Sequence, residues 1–127
     1  MNERSMEYKG LDGIDYLSNS KHTIRDKVLV GIRLYIEEHI TNIELKFSDE
    51  AYSDPSIVVE LKNVKLFDFI HDEDRYNIED YKLLYDEKKD EYYLSLDPYD
   101  YPALGGNDED GGVITAKEII VKQLTDK

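Results

Sequence analysis

The sequence contains no cysteine and no tryptophan, and only three prolines and three histidines occur among its 127 residues. Without cysteine the chain has no disulfide framework, no thiolate metal site and no cysteine nucleophile, and a cytoplasmic location is favoured. The histidines are widely separated, so no two of them have the spacing that puts two metal ligands on one face of a helix or strand. A zinc-type site is therefore not expected.

Long apolar segments and catalytic motifs are also lacking. The first ten residues, MNERSMEYKG, carry charges of both signs and lead into no apolar run, so neither a signal peptide nor a transmembrane span is predicted. No serine lies in a GxSxG context, and the glycine pairs between residues 105 and 112 precede no Lys-Ser/Thr pair. His71 beside Asp72 and Asp74 resembles part of an acid–base group, although a surface histidine among acids is the commoner arrangement. The sequence predicts a non-enzymatic protein.

Basic residues are scarce, with 16 Lys and Arg against 29 Asp and Glu and a net charge of −13. The imbalance is local: 15 acidic and four basic residues lie between Asp68 and Asp110, a net charge of −11, and the rest of the chain carries −2. Such a surface repels phosphate backbones and anionic membranes and attracts cations or basic proteins. We therefore expect a soluble protein that binds neither nucleic acid nor membrane, with a basic protein surface as its partner.

Apolar residues alternate with polar ones in several short segments, as they do in half-buried strands. The clearest is Ile43–Phe47. The longest apolar stretch, Ser56–Ile70, alternates as far as Asn63, where a bulge or bend is expected. Segments 81–85 and 92–96 flank a polar hairpin turn, and Val113–Val121 predicts a final strand with a frayed or helical end.

Residues 24–39 fit two patterns. Val28, Val30, Ile32, Leu34 and Ile36 alternate as in a strand, but apolar residues also recur every four positions, as in a helix. The β-branched residues and Gly31 favour the strand. The prediction is a single, mainly β domain over residues 1–127, an antiparallel sandwich or open barrel of five to six strands. The alternative is an α+β fold with a helix at about 24–39. Residues 1–20 are interpreted as a polar N-terminal segment with at most one short helical turn, at Leu11–Leu17.

Tyrosines are interleaved with acids in the second half of the chain. Tyrosine rings supply contact area and a negative rim speeds encounter with a basic surface, which is typical of a protein-interaction module. The candidate partner-binding residues are Tyr85, Tyr93, Tyr99, Tyr101, Asp86, Asp90, Asp97 and Asp100. Tyr81 or Tyr92 is instead expected to pack in the core.

The segment 97–112, DPYDYPALGGNDEDGG, predicts a long loop rich in carboxylates. Carboxylate and carbonyl oxygens on a flexible backbone suit a hard cation, so Asp108, Glu109 and Asp110 are candidate calcium ligands. When Gly111 is aligned with the glycine of an EF-hand loop, both obligatory terminal carboxylates are missing. The alternative function is therefore a cation- or small-ligand-binding β domain, and the simpler interpretation is a solvated loop.

Residues 76–100, YNIEDYKLLYDEKKDEYYLSLDPYD, and 113–121, VITAKEIIV, resemble the small acidic immunity proteins of bacterial polymorphic or contact-dependent toxin systems. The resemblance covers the second half of the chain and lies in size, acidity and strand pattern rather than in a motif. It implies a protein that neutralises a toxin by covering its active site, often with acidic residues opposite a basic nuclease cleft. No site residue is transferred from it.

Overall fold

The computed structural model describes residues 4–18, 23–50, 54–68, 78, 80–98 and 110–125. Seven strands and one helix lie in these ranges. They are β1 Arg4–Lys9, α1 Leu11–Ser18, β2 Val28–Glu37, β3 Ile40–Ser48, β4 Ile57–Asp68, β5 Lys82–Asp86, β6 Glu91–Asp97 and β7 Gly111–Thr125. The predicted mainly β, antiparallel class is confirmed, with seven strands in place of five or six.

All seven strands belong to one antiparallel sheet that does not close into a barrel. Six of them follow the order β2-β3-β4-β7-β6-β5, and the seventh, β1, pairs with β7. The fifteen-residue β7 organises it. One edge of β7 pairs with β4, and its other edge pairs first with β6 and then with β1. Strands β6 and β1 therefore lie end to end along β7.

Alternating residues of the central strands form the core, as the sequence pattern predicts. Ile43, Leu45 and Phe47 of β3 are fully buried and pair with the β4 residues Leu61, Val59 and Ile57. Burial of one such side chain stabilises the fold by about 1.5–3 kcal/mol. Leu94 and Leu96 of β6 join the same cluster, and Tyr81 and Tyr92 pack against it as expected.

The predicted irregularity in β4 is confirmed. Asn63 has a φ of 57°, and the register between β4 and β7 shifts between Val64 and Leu66. The alternation changes phase here: Leu61 packs in the core before the bulge and Val64 packs against it after the bulge. β4 therefore contributes residues to the core both where it pairs with β3 and farther along, where it pairs with the part of β7 that also pairs with β6.

The helix alternative for residues 24–39 is wrong, because β2 pairs along its length with β3. Backbone pairing selects the two-residue period over the four-residue one, and the bulge between Leu29 and Gly31 accommodates the glycine. The end of the chain does not become helical either. β7 stays extended to Thr125 because β1 pairs with its last six residues.

The N-terminal segment is part of the sheet rather than a polar appendage. Gly10, with a φ of 62°, turns the chain from β1 into α1, and its N–H donates to the carbonyl of Ile119 at 2.9 Å. The predicted helical turn is confirmed as α1, whose Leu17 is buried in the core. A Cβ at Gly13 would lie 3.0 Å from Val121 Cγ2, so glycine allows α1 to pack closely on β7.

No helix in the described part of the chain is long and apolar enough to cross a membrane.

Candidate binding cleft

Four neighbouring strands bring polar residues to the face of the sheet opposite the core. Residues paired directly across an antiparallel ladder point to the same face, and so do residues two apart in one strand. Thr115 of β7 pairs with Leu66 of β4 on one side and with Tyr93 of β6 on the other. Glu91 lies two residues before Tyr93 and pairs with Asp86 of β5. Residues from β4, β5, β6 and β7, which are distant in sequence, therefore lie next to one another on this face of the sheet.

These residues line a cleft of about 270 Å³, hereafter the acidic cleft. Its lining residues are Leu66, Asp68, Asp86, Lys89, Glu91, Tyr93, Asp110, Val113 and Thr115. The lining thus contains four carboxylates, one ammonium group and the side chains of a leucine and a valine. The volume lies just below the usual range of small-molecule sites.

A buried ion pair closes one end of the cleft. Lys82 Nζ donates to Asp110 Oδ1 at 3.0 Å and to Oδ2 at 2.9 Å, and the two side chains are 2% and 0% exposed. The Tyr93 hydroxyl also donates to Asp110 Oδ2, at 2.7 Å. Since buried charges are tolerated when they are paired and hydrogen-bonded, this arrangement fixes the start of β7 against β5 and β6.

The hairpin turn at the other end of the cleft is held by hydrogen bonds. Asp86 Oδ1 accepts from the N–H groups of Lys88 at 3.0 Å and Lys89 at 3.3 Å. Lys117 Nζ donates to the carbonyls of Lys89 at 3.0 Å and Asp90 at 3.2 Å. A turn fixed in this way presents the Asp86 carboxylate with little conformational entropy left to lose on binding.

Tyr85 lies on the opposite face of the sheet from the cleft. It pairs with Tyr92, which packs against the core, and the two ring centroids are 5.1 Å apart. Its hydroxyl donates to Asp90 Oδ1 at 2.5 Å. This hydrogen bond, followed by burial and the Asp90 charge, raises the pKa of Tyr85 to about 12.

The structure brings only part of the predicted partner-binding set together. Tyr93 and Asp86 line the cleft, whereas Tyr85 and Asp90 contact each other outside its lining and Asp97 is exposed at the end of β6. Three further candidates, Tyr99, Asp100 and Tyr101, lie outside the described residues.

Of the candidate calcium ligands, Asp110 is described, and its two oxygens accept hydrogen bonds from Lys82 and Tyr93. Asp108 and Glu109 lie outside the described residues, as do His71, Asp72 and Asp74. Among the residues that are described, no group of three or more His, Cys, Asp or Glu is arranged to hold a metal ion.

Sequence reasoning missed Lys82, Asp68 and Glu91 as parts of the site. Lys82 alternates with apolar residues in a way that is typical of an exposed position, and its partner is 28 residues away in sequence. The strand alternation does hold a signal: Glu91 lies two residues from Tyr93, so both point to one face. Asp68 is brought there by the pairing of β4 with β7, which local pattern does not show.

Comparison of the chain with protein-family models, with curated proteins and with solved structures finds no match.

Proposed function

We propose that this protein is a non-enzymatic interaction module that binds a basic protein surface through the acidic cleft. The observation that supports this most strongly is the convergence of Asp68, Asp86 and Glu91, from three different strands, around one small cavity. The fourth carboxylate, Asp110, is already neutralised by Lys82. The three remaining carboxylates and Lys89 leave the lining with a net negative charge.

The cleft suits the side chain of an arginine or lysine from the partner. The aliphatic stem of that side chain would pack on Leu66, Val113 and the Tyr93 ring, while its cationic head would reach the carboxylates. Arginine is favoured over lysine, because its planar guanidinium binds carboxylates in bidentate fashion and stacks on aromatic rings. A pocket for one anchoring side chain, surrounded by charge, is typical of a binding hot spot.

The charge of the whole chain supports the same proposal. A net charge of −13, concentrated in the half that forms the cleft, accelerates encounter with a positive surface and disfavours nucleic acid as the ligand. The specific form proposed here is an immunity-type inhibitor that covers the basic active site of a bacterial toxin. That form depends on the resemblance of residues 76–100 and 113–121, whereas the binding of a basic surface depends on the cleft.

A titration with a short, amidated arginine-rich peptide tests the proposal. We expect the backbone amide NMR signals of Tyr93, Val113 and Thr115 to shift, and the affinity to fall as salt rises from about 20 to about 200 mM, because the contacts are charge pairs. A peptide of the same length with citrulline in place of arginine keeps the shape but lacks the charge, and it should not bind. Shifts spread evenly over the molecule, or equal binding of the two peptides, would contradict the proposal.

A further inference from the structure

We propose that two copies of this chain form a symmetric dimer by antiparallel pairing of β2 with β2. In the described sheet β2 is an end strand that pairs only with β3. The N–H and C=O groups of its other edge can therefore pair with an added strand. This interface lies outside the acidic cleft and does not depend on the proposed function.

β2 carries an exposed apolar stripe. Ile32, Leu34 and Ile36 are between 42% and 68% exposed. Ile32 pairs with Leu45 and Leu34 pairs with Ile43, so the stripe continues the face of the sheet that is buried in β3. Contiguous exposed apolar residues on an edge strand mark an interaction surface.

The other free edges differ from β2 in length and charge. β5 has five residues and ends at Asp86 in the acidic half, and the six-residue β1 includes Arg4, Glu7 and Lys9. β2 has ten residues and contains neither lysine nor proline, the residues that most commonly protect an edge from pairing, and its two charged residues, Arg33 and Glu37, have opposite signs. Its bulge lies near its start, between Leu29 and Gly31, and leaves the rest of the strand regular.

Charge and symmetry identify a second copy as the occupant. A twofold axis at Leu34 places Ile32 opposite Ile36 of the second copy, so that apolar residues meet on one face. On the other face it places Arg33 opposite Tyr35, an extension of the cation–π contact that Arg33 already makes with its own Tyr35 at 4.3 Å. An axis at Arg33 or at Glu37 would oppose like charges. An axis at Tyr35 would pair Arg33 with Glu37 but place Ile32 opposite Glu38, beyond the end of β2. The axis at Leu34 therefore pairs the largest part of the apolar stripe.

The remaining charge distribution is compatible with this pairing. The chain outside Asp68–Asp110 carries a net charge of only −2, so association through β2 keeps the two acidic halves away from the interface. Each chain has one β2, and pairing about a twofold axis occupies the free edge of β2 in both copies. The expected assembly is a closed dimer rather than a filament.

Sedimentation equilibrium over about 5–500 µM protein tests the proposal. We expect a concentration-dependent shift from the 14.9 kDa monomer to twice that mass. Because two acidic chains repel each other, the dimer should become tighter when salt rises from about 20 to about 200 mM. This is opposite to the salt dependence expected for the arginine-rich peptide, so failure of one proposal is distinguishable from failure of the other.

Two edge variants identify the interface. Leu34→Lys and Ile36→Lys each place a charge in the pairing edge and should weaken the dimer at least about tenfold. Leu11→Lys is the matched control, because Leu11 is 57% exposed on α1 and the change in charge is the same. Circular dichroism spectra show whether each variant is folded. A monomer at every concentration, or a dimer that both folded edge variants leave intact, overturns the proposal.

Cysteine crosslinking tests the register. The chain has no cysteine, so Leu34→Cys supplies the only thiol, and a twofold axis at this residue puts the two Cβ atoms about 4.5–5.5 Å apart. Mild oxidation should crosslink this variant quickly. Ile40→Cys, which is in the same hairpin but away from the axis, should crosslink much more slowly. Equal rates for the two variants would overturn the proposed pairing.

Discussion

The buried ion pair beside the cleft leads to a quantitative prediction. Replacing Asp110 by asparagine removes the carboxylate to which Lys82 Nζ donates twice, and the Lys82 side chain is only 2% exposed. Breaking a buried pair from one side costs about 3–5 kcal/mol. For a domain of this size that loss corresponds to a melting temperature lower by roughly 10–20 °C.

Urea denaturation monitored by tyrosine fluorescence measures this loss, with two companion variants as controls. Asp49→Asn breaks the same kind of pair at the surface, where Lys27 Nζ lies 2.5 Å from an aspartate that is 72% exposed, and it should cost at most about 1 kcal/mol. Lys82→Met combined with Asp110→Asn removes both charges of this pair and keeps an oxygen for Tyr93. This double variant should regain most of the stability lost by Asp110→Asn.

The pattern among the variants decides the outcome. If Asp110→Asn costs no more than Asp49→Asn, Lys82 is not desolvated as the structure places it. If the double variant is less stable than Asp110→Asn alone, the cost comes from lost packing and not from breaking the charge pair. Either result would refute the reasoning.

Three further predictions concern other parts of the fold. Asp90→Asn should lower the pKa of Tyr85 from about 12 towards 10, because the hydrogen bond to Asp90 is the largest cause of the shift; NMR of the tyrosine ring carbons measures it, and an unchanged pKa would contradict the contact. The Tyr85 contribution to stability should therefore be present below pH 10 and lost as the pH rises through about 12. Gly13→Ala should destabilise the protein by about 1–3 kcal/mol in urea denaturation, despite a gain of ~1 kcal/mol in helix propensity, because its Cβ would lie 3.0 Å from Val121; an unchanged midpoint would show that α1 can shift. Asn63→Ala should cost about 1 kcal/mol and Asn63→Gly should not, because φ is 57°; equal melting temperatures would contradict this.

The sequence was sufficient to predict elements whose burial follows a local period. β3 alternates along its length, and the bulge at Asn63 is visible because the apolar pattern of β4 changes phase there. β2 shows the limit of such reasoning. Its alternation predicts a strand correctly, but the same alternation is expected to bury one face, and Leu34 remains 51% exposed. A pattern indicates which residues share a face and does not show whether another element covers that face.

Features that depend on distant pairing were not predictable from local pattern. β1 has few apolar residues, and it forms because β7 offers an unpaired edge more than a hundred residues away in sequence. Lys82 has the pattern of a solvent-facing residue, yet it is buried because Asp110 and the register of three strands place a carboxylate beside it. The acidic composition indicated the half of the chain that forms the cleft, but only the strand order shows which carboxylates converge.

The proposed binding of a basic surface is tested most directly by two charge-matched triple variants. The first, Asp68→Asn/Asp86→Asn/Glu91→Gln, neutralises the cleft, and the second, Glu7→Gln/Asp12→Asn/Asp15→Asn, removes three exposed acids from β1 and α1. Calorimetric titration with the arginine-rich peptide should show a loss of about tenfold to one-hundredfold for the first, at about 0.5–1 kcal/mol per charge pair, and less than about threefold for the second. Equal losses in the two variants would show that the peptide responds to total charge, and the cleft would not be the binding site.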